Sequence, residues 1–258
     1  MKNKFLVSIL IVFLFFVFIA LILTPLQKKP PVPVKRLPVY RGSIAIVIDD
    51  WGYHLDNLAI ARGIKQPLTC AVLPNLKNSA LVSGILKDLG FEIILHLPMQ
   101  PKEKYGLEKD TITLNMDAKR VRDIVNKDLA SVAFAKGVSN HMGSAITENE
   151  KMSSIVMGEV KKHKLYFLDS FVTAKSVCQR VAKKINLKIA KRDVFLDNEN
   201  NPAYIRAQLI KLKKLSSKKG IAVGIGHDRK ATLEVLKEML PEMAEEGYKF
   251  VFVSEIVN

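Results

Sequence analysis

The chain has 258 residues, of which 48% are hydrophobic, and it carries 40 Lys and Arg against 25 Asp and Glu. This composition is globular, and the length suffices for one α/β domain with a substantial core. Two cysteines, Cys70 and Cys178, exclude a disulfide framework, and their apolar contexts predict two buried thiols. The net charge of +15 suits an anionic neighbour, but the lysines are scattered without interleaved aromatic residues, so we expect no nucleic acid partner.

Residues 1–24 are interpreted as an N-terminal signal anchor. The apolar run Phe5 to Leu23 would span about 28 Å as a helix, close to the ~30 Å of a bilayer core. No cleavage site of the small-x-small type follows it, which favours an uncleaved transmembrane helix. More positive charges follow the run than precede it, which opposes export. We nevertheless expect a single-pass inner-membrane protein whose main domain faces the periplasm, partly from the family resemblance given below.

Residues 25–41 contain five prolines, which predicts an extended linker without helix or sheet. From residue 42 to 258, strand-like and helix-like segments alternate, which predicts a parallel sheet. The strand candidates are 44–48, 68–73, 92–97, 136–139, 165–168, 188–190, 221–225 and 249–253. The helix candidates are 56–64, 79–89, 117–132, 149–163, 176–185, 202–217 and 230–246. Seven or eight such units favour a closed or nearly closed (β/α) barrel. The segment 98–116 lacks an element, and we expect it to wall or cover the site.

Polar side chains follow the predicted strands, where α/β folds bind their ligands. The first strand ends at Asp49 and Asp50, which is also a common way to begin a turn. Neighbouring strand residues point in opposite directions, so both carboxylates can face one site only if the strand is turning there. Three of the five histidines, His96, His141 and His227, also fall at strand ends.

Asp50, His96 and His141 form a set of one carboxylate and two imidazoles from three strands. Such a set suits a divalent transition metal, zinc first and iron, cobalt or nickel next. The alternative is that both histidines are ordinary hydrogen-bonded core residues. A metal with an open position, together with Asp49 as base and His227 as acid, describes amide or ester hydrolysis.

Other residues are expected to support this chemistry. Asp193 and Asp169 are candidates to orient His227 or a ligating histidine. Gly224 and Gly226 would allow backbone to approach a substrate closely. His54 lies in the loop after the first strand and could approach the site.

The chain from about residue 42 onward resembles the divergent polysaccharide deacetylase family, which are membrane-anchored or secreted bacterial proteins related to sugar N-deacetylases. The matching stretches are 48–50 (Ile-Asp-Asp), 96–101 (His-Leu-Pro-Met-Gln-Pro), 140–144 (Asn-His-Met-Gly-Ser), 167–170 (Phe-Leu-Asp-Ser), 192–198 (Arg-Asp-Val-Phe-Leu-Asp-Asn) and 226–227 (Gly-His).

This resemblance implies a deformed (β/α) barrel with seven or eight units and a metal-dependent sugar deacetylase. It implies Asp49 as base, Asp50 as ligand and His227 as acid. Substrate-binding or supporting residues are expected at Asn140, Ser144, Asp169, Ser170 and Asp193. The implied partner is an envelope polysaccharide such as peptidoglycan. The chain departs from ordinary members because it has no His-x-x-x-His turn and no arginine-proline-glycine motif. It departs from the divergent family at Phe171-Val172, where Arg-Thr is expected, and at Asp228, where Pro is usual.

The sequence is therefore compatible with two functions. The first is a hydrolase that removes acetyl groups from an envelope glycan. The second is a catalytically inactive protein that uses the same barrel and cleft to bind a glycan or a cell-wall partner.

Overall fold

The computed structural model describes residues 2–23, 39–104 and 106–257. The chain divides into two compact units, Met1–Leu37 and Pro38–Asn258. The first unit contains helix α1 (Lys2–Leu23). Within the described ranges no helix combines the length and apolar character that a membrane span requires. Residues 25–38 of the predicted linker lie outside the described residues.

The second unit alternates strands and helices as the sequence predicted. Its strands are β1 (Gly42–Trp51), β2 (Thr69–Val72), β3 (Glu92–Met99), β4 (Gly137–Met142), β5 (Tyr166–Asp169), β6 (Ile189–Lys191), β7 (Val194–Phe195), β8 (Ile221–His227) and β9 (Tyr248–Phe250). Its helices are α2 (Leu58–Ala61), α3 (Ser79–Asp88), α4 (Ala118–Ser131), α5 (Ser144–Thr147), α6 (Glu150–Lys162), α7 (Cys178–Ile185), α8 (Pro202–Lys219) and α9 (Lys230–Glu245). All eight predicted strands and seven predicted helices are present. The prediction missed α5 and β7, which are too short to show a periodic pattern.

Helix starts follow from local chemistry. The side chain of Asn149 accepts a hydrogen bond from Met152 N at the start of α6. Asn201 accepts hydrogen bonds at the start of α8, and Pro202 occupies the first turn of that helix, where a missing N–H costs nothing. These caps fix the residues at which α6 and α8 begin.

All strand pairs are parallel, and the sheet order is β6-β5-β4-β3-β2-β1-β8-β7, with β9 also pairing with β1. In the described part of the chain, β6 and β7 end the two edges without pairing with each other, so the sheet is an open half-barrel and the fully closed form of the predicted barrel is not formed. The two edge strands are short, with three residues in β6 and two in β7. Arg192 and Asp193 cross the gap between them: Arg192 N donates to Asp169 O at 3.1 Å, and Asp193 N donates to Val223 O at 2.9 Å.

Both faces of the sheet are buried, and residues alternate between two apolar clusters. Ile44, Ile46 and Ile48 belong to the cluster shared with the helices, whereas Ala45 and Val47 belong to the cluster inside the curved sheet. This confirms the interpretation of an unbroken apolar run as a strand covered on both sides. Both clusters lie within residues 44–257, so the second unit contains its own core. Cys70 and Cys178 are free, buried thiols, as predicted.

Candidate metal centre and catalytic cleft

The two aspartates of β1 reach one cleft because the strand turns between them. Asp49 continues the inward-facing series of Ala45 and Val47. By simple alternation Asp50 would point toward the helices, but its backbone is left-handed, with φ of 66°. The register between β1 and β2 also shifts between Ile48 and Trp51. This local irregularity turns the Asp50 carboxylate to the same side as Asp49.

The three predicted metal ligands lie together. Asp50 Oδ1 is 3.0 Å from His141 Nδ1 and 3.3 Å from His96 Nε2. One donor atom from each of the three residues lies within 4.8 Å of the others. His96 is buried in β3, and His141 lies near the end of the adjacent β4. Strand pairing therefore brings together side chains that are far apart in sequence.

The donor set fits a bound metal ion. Asp50 Oδ1 is buried and makes no hydrogen bond of acceptable geometry with any described residue, although two imidazole nitrogens are nearby. Ligands held about 2.1 Å from zinc in tetrahedral directions would be about 3.4 Å apart, close to the distances observed here. Ser139 Oγ lies 2.8 Å from His96 Nδ1, which leaves Nε2 free to face Asp50. A fixed second nitrogen is what metal-bound histidines ordinarily have.

The two aspartates differ in their protonation. Burial raises the pKa of Asp49, and the nearby His96 and His227 only partly oppose this effect. Burial would also raise the pKa of Asp50, but His141 and His96 outweigh it and hold that pKa well below its usual range. Asp49 Oδ1 has no hydrogen-bond partner in the described part of the chain. The two histidines therefore favour the ionised form of Asp50, whereas burial favours proton uptake by Asp49.

His227 is held by Asp197, which sequence reasoning did not select. Asp197 Oδ1 lies 2.8 Å from His227 Nδ1, and Asp197 Oδ2 accepts a hydrogen bond from His227 N at 2.8 Å. Thr232 Oγ1 donates to the same Oδ2 at 2.6 Å. Burial alone would lower the pKa of His227, but Asp197 outweighs it and the pKa is raised.

The proposed orienting roles of Asp193 and Asp169 were wrong. Asp193 accepts hydrogen bonds from Lys219 Nζ at 2.7 Å and from Val223 N at 2.9 Å. Asp169 accepts from Phe171 N at 2.9 Å and from Ser176 Oγ at 2.7 Å. Both carboxylates make these hydrogen bonds at the edges of the sheet, and neither of them with His227.

The glycines before His227 also serve a different purpose from the one expected. A Cβ atom added to Gly226 would lie 2.9 Å from Thr232 Cγ2 and 3.4 Å from Asp197 Oδ2. One added to Gly224 would lie 2.7 Å from Leu212 Cδ2. These glycines make room for helix packing and for the support of His227, and not for substrate.

The remaining predicted residues separate into two groups. Asn140 and Ser170 line the cleft. Ser144 instead accepts from Lys102 N at 2.8 Å and donates to Glu103 at 3.2 Å, so it fixes the segment after β3. None of the described residues of 98–116 lines the cleft, so they do not wall it, and the alternative that the segment covers the site stays a prediction. His54 Nδ1 lies 3.8 Å from Asp228 Oδ2 and is not among the cleft residues.

Arg192 and Phe195 complete the cleft and were not predicted as site residues. The Arg192 guanidinium lies 4.6 Å from the centre of the Phe195 ring, and that ring contacts the His227 imidazole edge-on at 5.2 Å. Burial lowers the pKa of Arg192, and the negative charge of Asp49 opposes this shift only in part. Both residues lie in the stretch 192–198 that carried the family resemblance, which was the available signal.

Together these side chains surround a cleft of about 480 Å³ at the C-terminal ends of the strands. The lining is Asp49, Asp50, His96, Asn140, His141, Met142, Ser170, Val172, Arg192, Phe195, Asn198, Ile225 and His227. The cleft combines a candidate metal-ligand set, a proton acceptor and a proton donor. This arrangement can support hydrolysis of an acyl group.

Comparison with known proteins identifies the relatives of the chain. The uncharacterized protein YibQ of Escherichia coli (strain K12) is 36% identical over 203 residues, which are 79% of this chain and 64% of that protein. The crystal structure of the uncharacterized protein ATU2773 from Agrobacterium tumefaciens C58 matches with a TM-score of 0.81 and 24% identity, covering 85% of this chain and 90% of that one.

A second solved structure has a similar fold. It is the Xyl-CE4 domain of a multidomain xylanase from the hindgut metagenome of Trinervitermes trinervoides, with a TM-score of 0.51 and 15% identity over 84% of this chain and 89% of that one. The family model described as divergent polysaccharide deacetylase matches residues 46–257. Because this match covers most of the chain, the chain belongs to the divergent polysaccharide deacetylase family.

Proposed function

We propose that this protein is a metal-dependent deacetylase that hydrolyses acetyl groups on an amino-sugar polymer. The observation that carries the proposal is the convergence of Asp50 Oδ1, His96 Nε2 and His141 Nδ1 in the cleft that also holds Asp49 and His227. The cleft volume is within the usual range for small-molecule sites. The family description supports an acetylated polysaccharide as substrate, and we propose peptidoglycan of the cell envelope.

The candidate ligands Asp50, His96 and His141 would hold the metal. Two imidazoles and a carboxylate suit zinc first, and iron, cobalt or nickel next. When bound, such an ion polarises the acyl carbonyl and makes water more acidic.

Asp49 serves as the general base in this proposal. Its raised pKa makes it a stronger proton acceptor than an exposed carboxylate, and its unpartnered Oδ1 can accept the proton of the attacking water. His227 serves as the general acid. Because the Asp197 carboxylate accepts the Nδ1 proton, the protonated imidazole presents its second proton on Nε2 to the leaving amine. The raised pKa of His227 favours this protonated form.

Metal analysis of the full chain tests the proposal when it is combined with acetate release from an N-acetylglucosamine oligomer and from peptidoglycan. We expect Asp50→Ala to lose both the metal and the release of acetate. Asp88→Ala provides a matched control, because the Asp88 side chain is 76% exposed at the end of α3 and is not among the residues that line the cleft. This control should retain both properties.

Two outcomes would contradict the proposal. Metal content that is unchanged in Asp50→Ala would remove the assigned ligand set. A wild-type protein that binds these glycans, yet releases no acetate with zinc, iron, cobalt or nickel, would instead identify the non-catalytic glycan-binding protein.

A further inference from the structure

Ser170 places an unused hydroxyl in the wall of the cleft. The residue is only 5% exposed, and its Oγ has no hydrogen-bond partner among residues 2–23, 39–104 and 106–257. The same residue lines the cleft that contains the candidate metal ligands. A buried polar group without a partner is uncommon in folded proteins and calls for an explanation.

The backbone around this hydroxyl is fixed from both sides. Ser170 N donates to Asn140 Oδ1 at 2.9 Å, and Ser170 O accepts from Arg192 Nε at 2.6 Å. Arg192 also donates to Phe171 O at 2.7 Å, and Phe171 has a left-handed φ of 49°. The backbone groups of Ser170 are therefore already used, and its position is set before any ligand binds.

The direction of the side chain follows from the strand. Tyr166 and Leu168 of β5 belong to the cluster inside the curved sheet, so alternation places Ser170 on the same inner side. The neighbouring polar residues are already occupied: Asn140 also donates to Met142 O at 2.7 Å, and Asp169 binds Ser176. The Ser170 hydroxyl therefore remains available for a hydrogen bond, whereas the polar groups of these neighbours are already bonded within the fold.

We propose that the Ser170 hydroxyl binds the sugar hydroxyl on the ring carbon next to the one that carries the acylated amine. A serine hydroxyl both donates and accepts, which matches a sugar hydroxyl better than it matches a charged group. Ser170 is held through Asn140 beside His141 in the same cleft wall, so a sugar whose acyl group lies at the metal ligands would direct a neighbouring ring position toward Ser170. This inference rests on the proposed function and narrows its substrate to N-acetylhexosamines whose neighbouring hydroxyl is free.

A cycle with two proteins and two substrates tests the inference. The substrates are methyl N-acetylglucosaminide and its 3-deoxy analogue, and the proteins are wild type and Ser170→Ala. We expect wild type to prefer the hydroxylated sugar by about 5- to 10-fold in kcat/KM, the size expected for one neutral hydrogen bond. Ser170→Ala should process both sugars equally. Calorimetric binding of the same sugars should show the same loss of discrimination.

Thermal stability separates this role from a structural one. Because Ser170 Oγ bonds to no described residue, Ser170→Ala should retain the wild-type Tm or exceed it. Ser153→Ala is the control: that serine is 3% exposed, and its hydroxyl donates to Ile146 O at 2.9 Å, away from the cleft lining. The control should lower Tm and keep the preference for the hydroxylated sugar.

Other outcomes would contradict the proposed role of Ser170. If wild type is active and Ser170→Ala keeps the same discrimination, the hydroxyl holds water only and the inference fails while the proposed function stands. A lower Tm in Ser170→Ala without a change in discrimination would assign it a structural role. A wild-type protein that neither binds nor processes either monosaccharide, yet releases acetate from the N-acetylglucosamine oligomer, would overturn this inference alone. Release of acetate from none of these substrates would overturn both proposals.

Discussion

Asp197 and His227 are joined by two hydrogen bonds that use both oxygens of the carboxylate. Asp197 Oδ1 contacts His227 Nδ1 at 2.8 Å, and Oδ2 accepts from His227 N at 2.8 Å. Burial would raise the pKa of Asp197, but His227 outweighs it and the pKa is lowered, so Asp197 is ionised. An ionised carboxylate only accepts, so Nδ1 carries a proton. Nε2 therefore faces Asp50 Oδ2, at 4.0 Å.

Asp197→Asn should reduce kcat by about 100-fold or more, because the amide neither fixes this tautomer nor stabilises the imidazolium. The acid must be protonated, so activity falls as pH rises through the pKa of His227. Asp197 raises that pKa, and its loss should move the alkaline limb of the pH profile to lower pH. The pH dependence of kcat measures both effects.

The matched control is Asp193→Asn, in the same stretch of chain. Asp193 binds Lys219 and Val223 N, so its substitution should leave the alkaline limb in place. An unshifted limb in Asp197→Asn would contradict the assignment of His227 as the acid.

Ser139 controls the orientation of a candidate ligand. It lies opposite His96 in the pairing of β3 with β4, and its Oγ is 2.8 Å from His96 Nδ1. Ser139→Ala should weaken zinc binding by about 10- to 100-fold, the range found when such supporting contacts are removed. Competition with a chromophoric chelator measures the affinity. Ser83→Ala should keep the wild-type affinity, because the equally buried Ser83 donates only to Ala80 O within α3.

Much of the fold could be predicted from the sequence, because buried parallel strands and amphipathic helices produce distinct patterns of apolar residues. The apolar run before Asp49 predicted β1, and the position of His96, His141 and His227 at strand ends predicted their convergence. That inference needs only parallel strands, whose C-terminal ends share one edge. It does not depend on whether the barrel closes fully, because the edge exists in an open sheet as well.

The details that were missed depend on non-local contacts. Nothing near Asp197 in sequence shows that it, and not Asp193, reaches His227, since this depends on how β7 pairs with β8. The left-handed backbone of Asp50 likewise arises from an irregular pairing with β2. Ser139 looked like an ordinary strand residue because its partner lies 43 positions away.

Gly226 should be intolerant of any side chain. A Cβ atom at this position would lie 2.9 Å from Thr232 Cγ2 and 3.4 Å from Asp197 Oδ2, both of which belong to the support of His227. Gly226→Ala should cost about 1–3 kcal/mol of stability through overpacking and should lower kcat as well. Denaturant unfolding and steady-state kinetics measure the two effects.

Gly84→Ala provides the comparison, because Gly84 lies within α3 and a Cβ there would meet nothing within 4 Å. Alanine favours helix over glycine by about 0.5–1 kcal/mol, so this variant should be as stable as wild type or more stable. Equal behaviour of the two variants would show that the space beside Gly226 is not confined.

Asp128 should make the stability of the domain depend on pH. This fully buried residue of α4 accepts a hydrogen bond from Asn75 Nδ2 at 2.6 Å, and its Oδ2 has no partner in the described part of the chain. Burial raises its pKa to about 7, from an ordinary value of 3.8. The folded protein thus binds a proton that the unfolded chain releases between these two values.

The sign follows from this difference in bound protons. Protonated Asp128 adds to the free energy of unfolding. This stabilising contribution is fully present below the unfolded pKa of 3.8 and is lost as pH rises to about 7. From pH 5 to pH 8 the free energy of unfolding should fall by roughly 3 kcal/mol at most from this group. Asp128→Asn should remove that part of the slope in urea unfolding, because the amide stays neutral. Asp123→Asn, on the exposed side of the same helix, should keep the wild-type slope, and a slope retained by Asp128→Asn would show that Asp128 is not the titrating group.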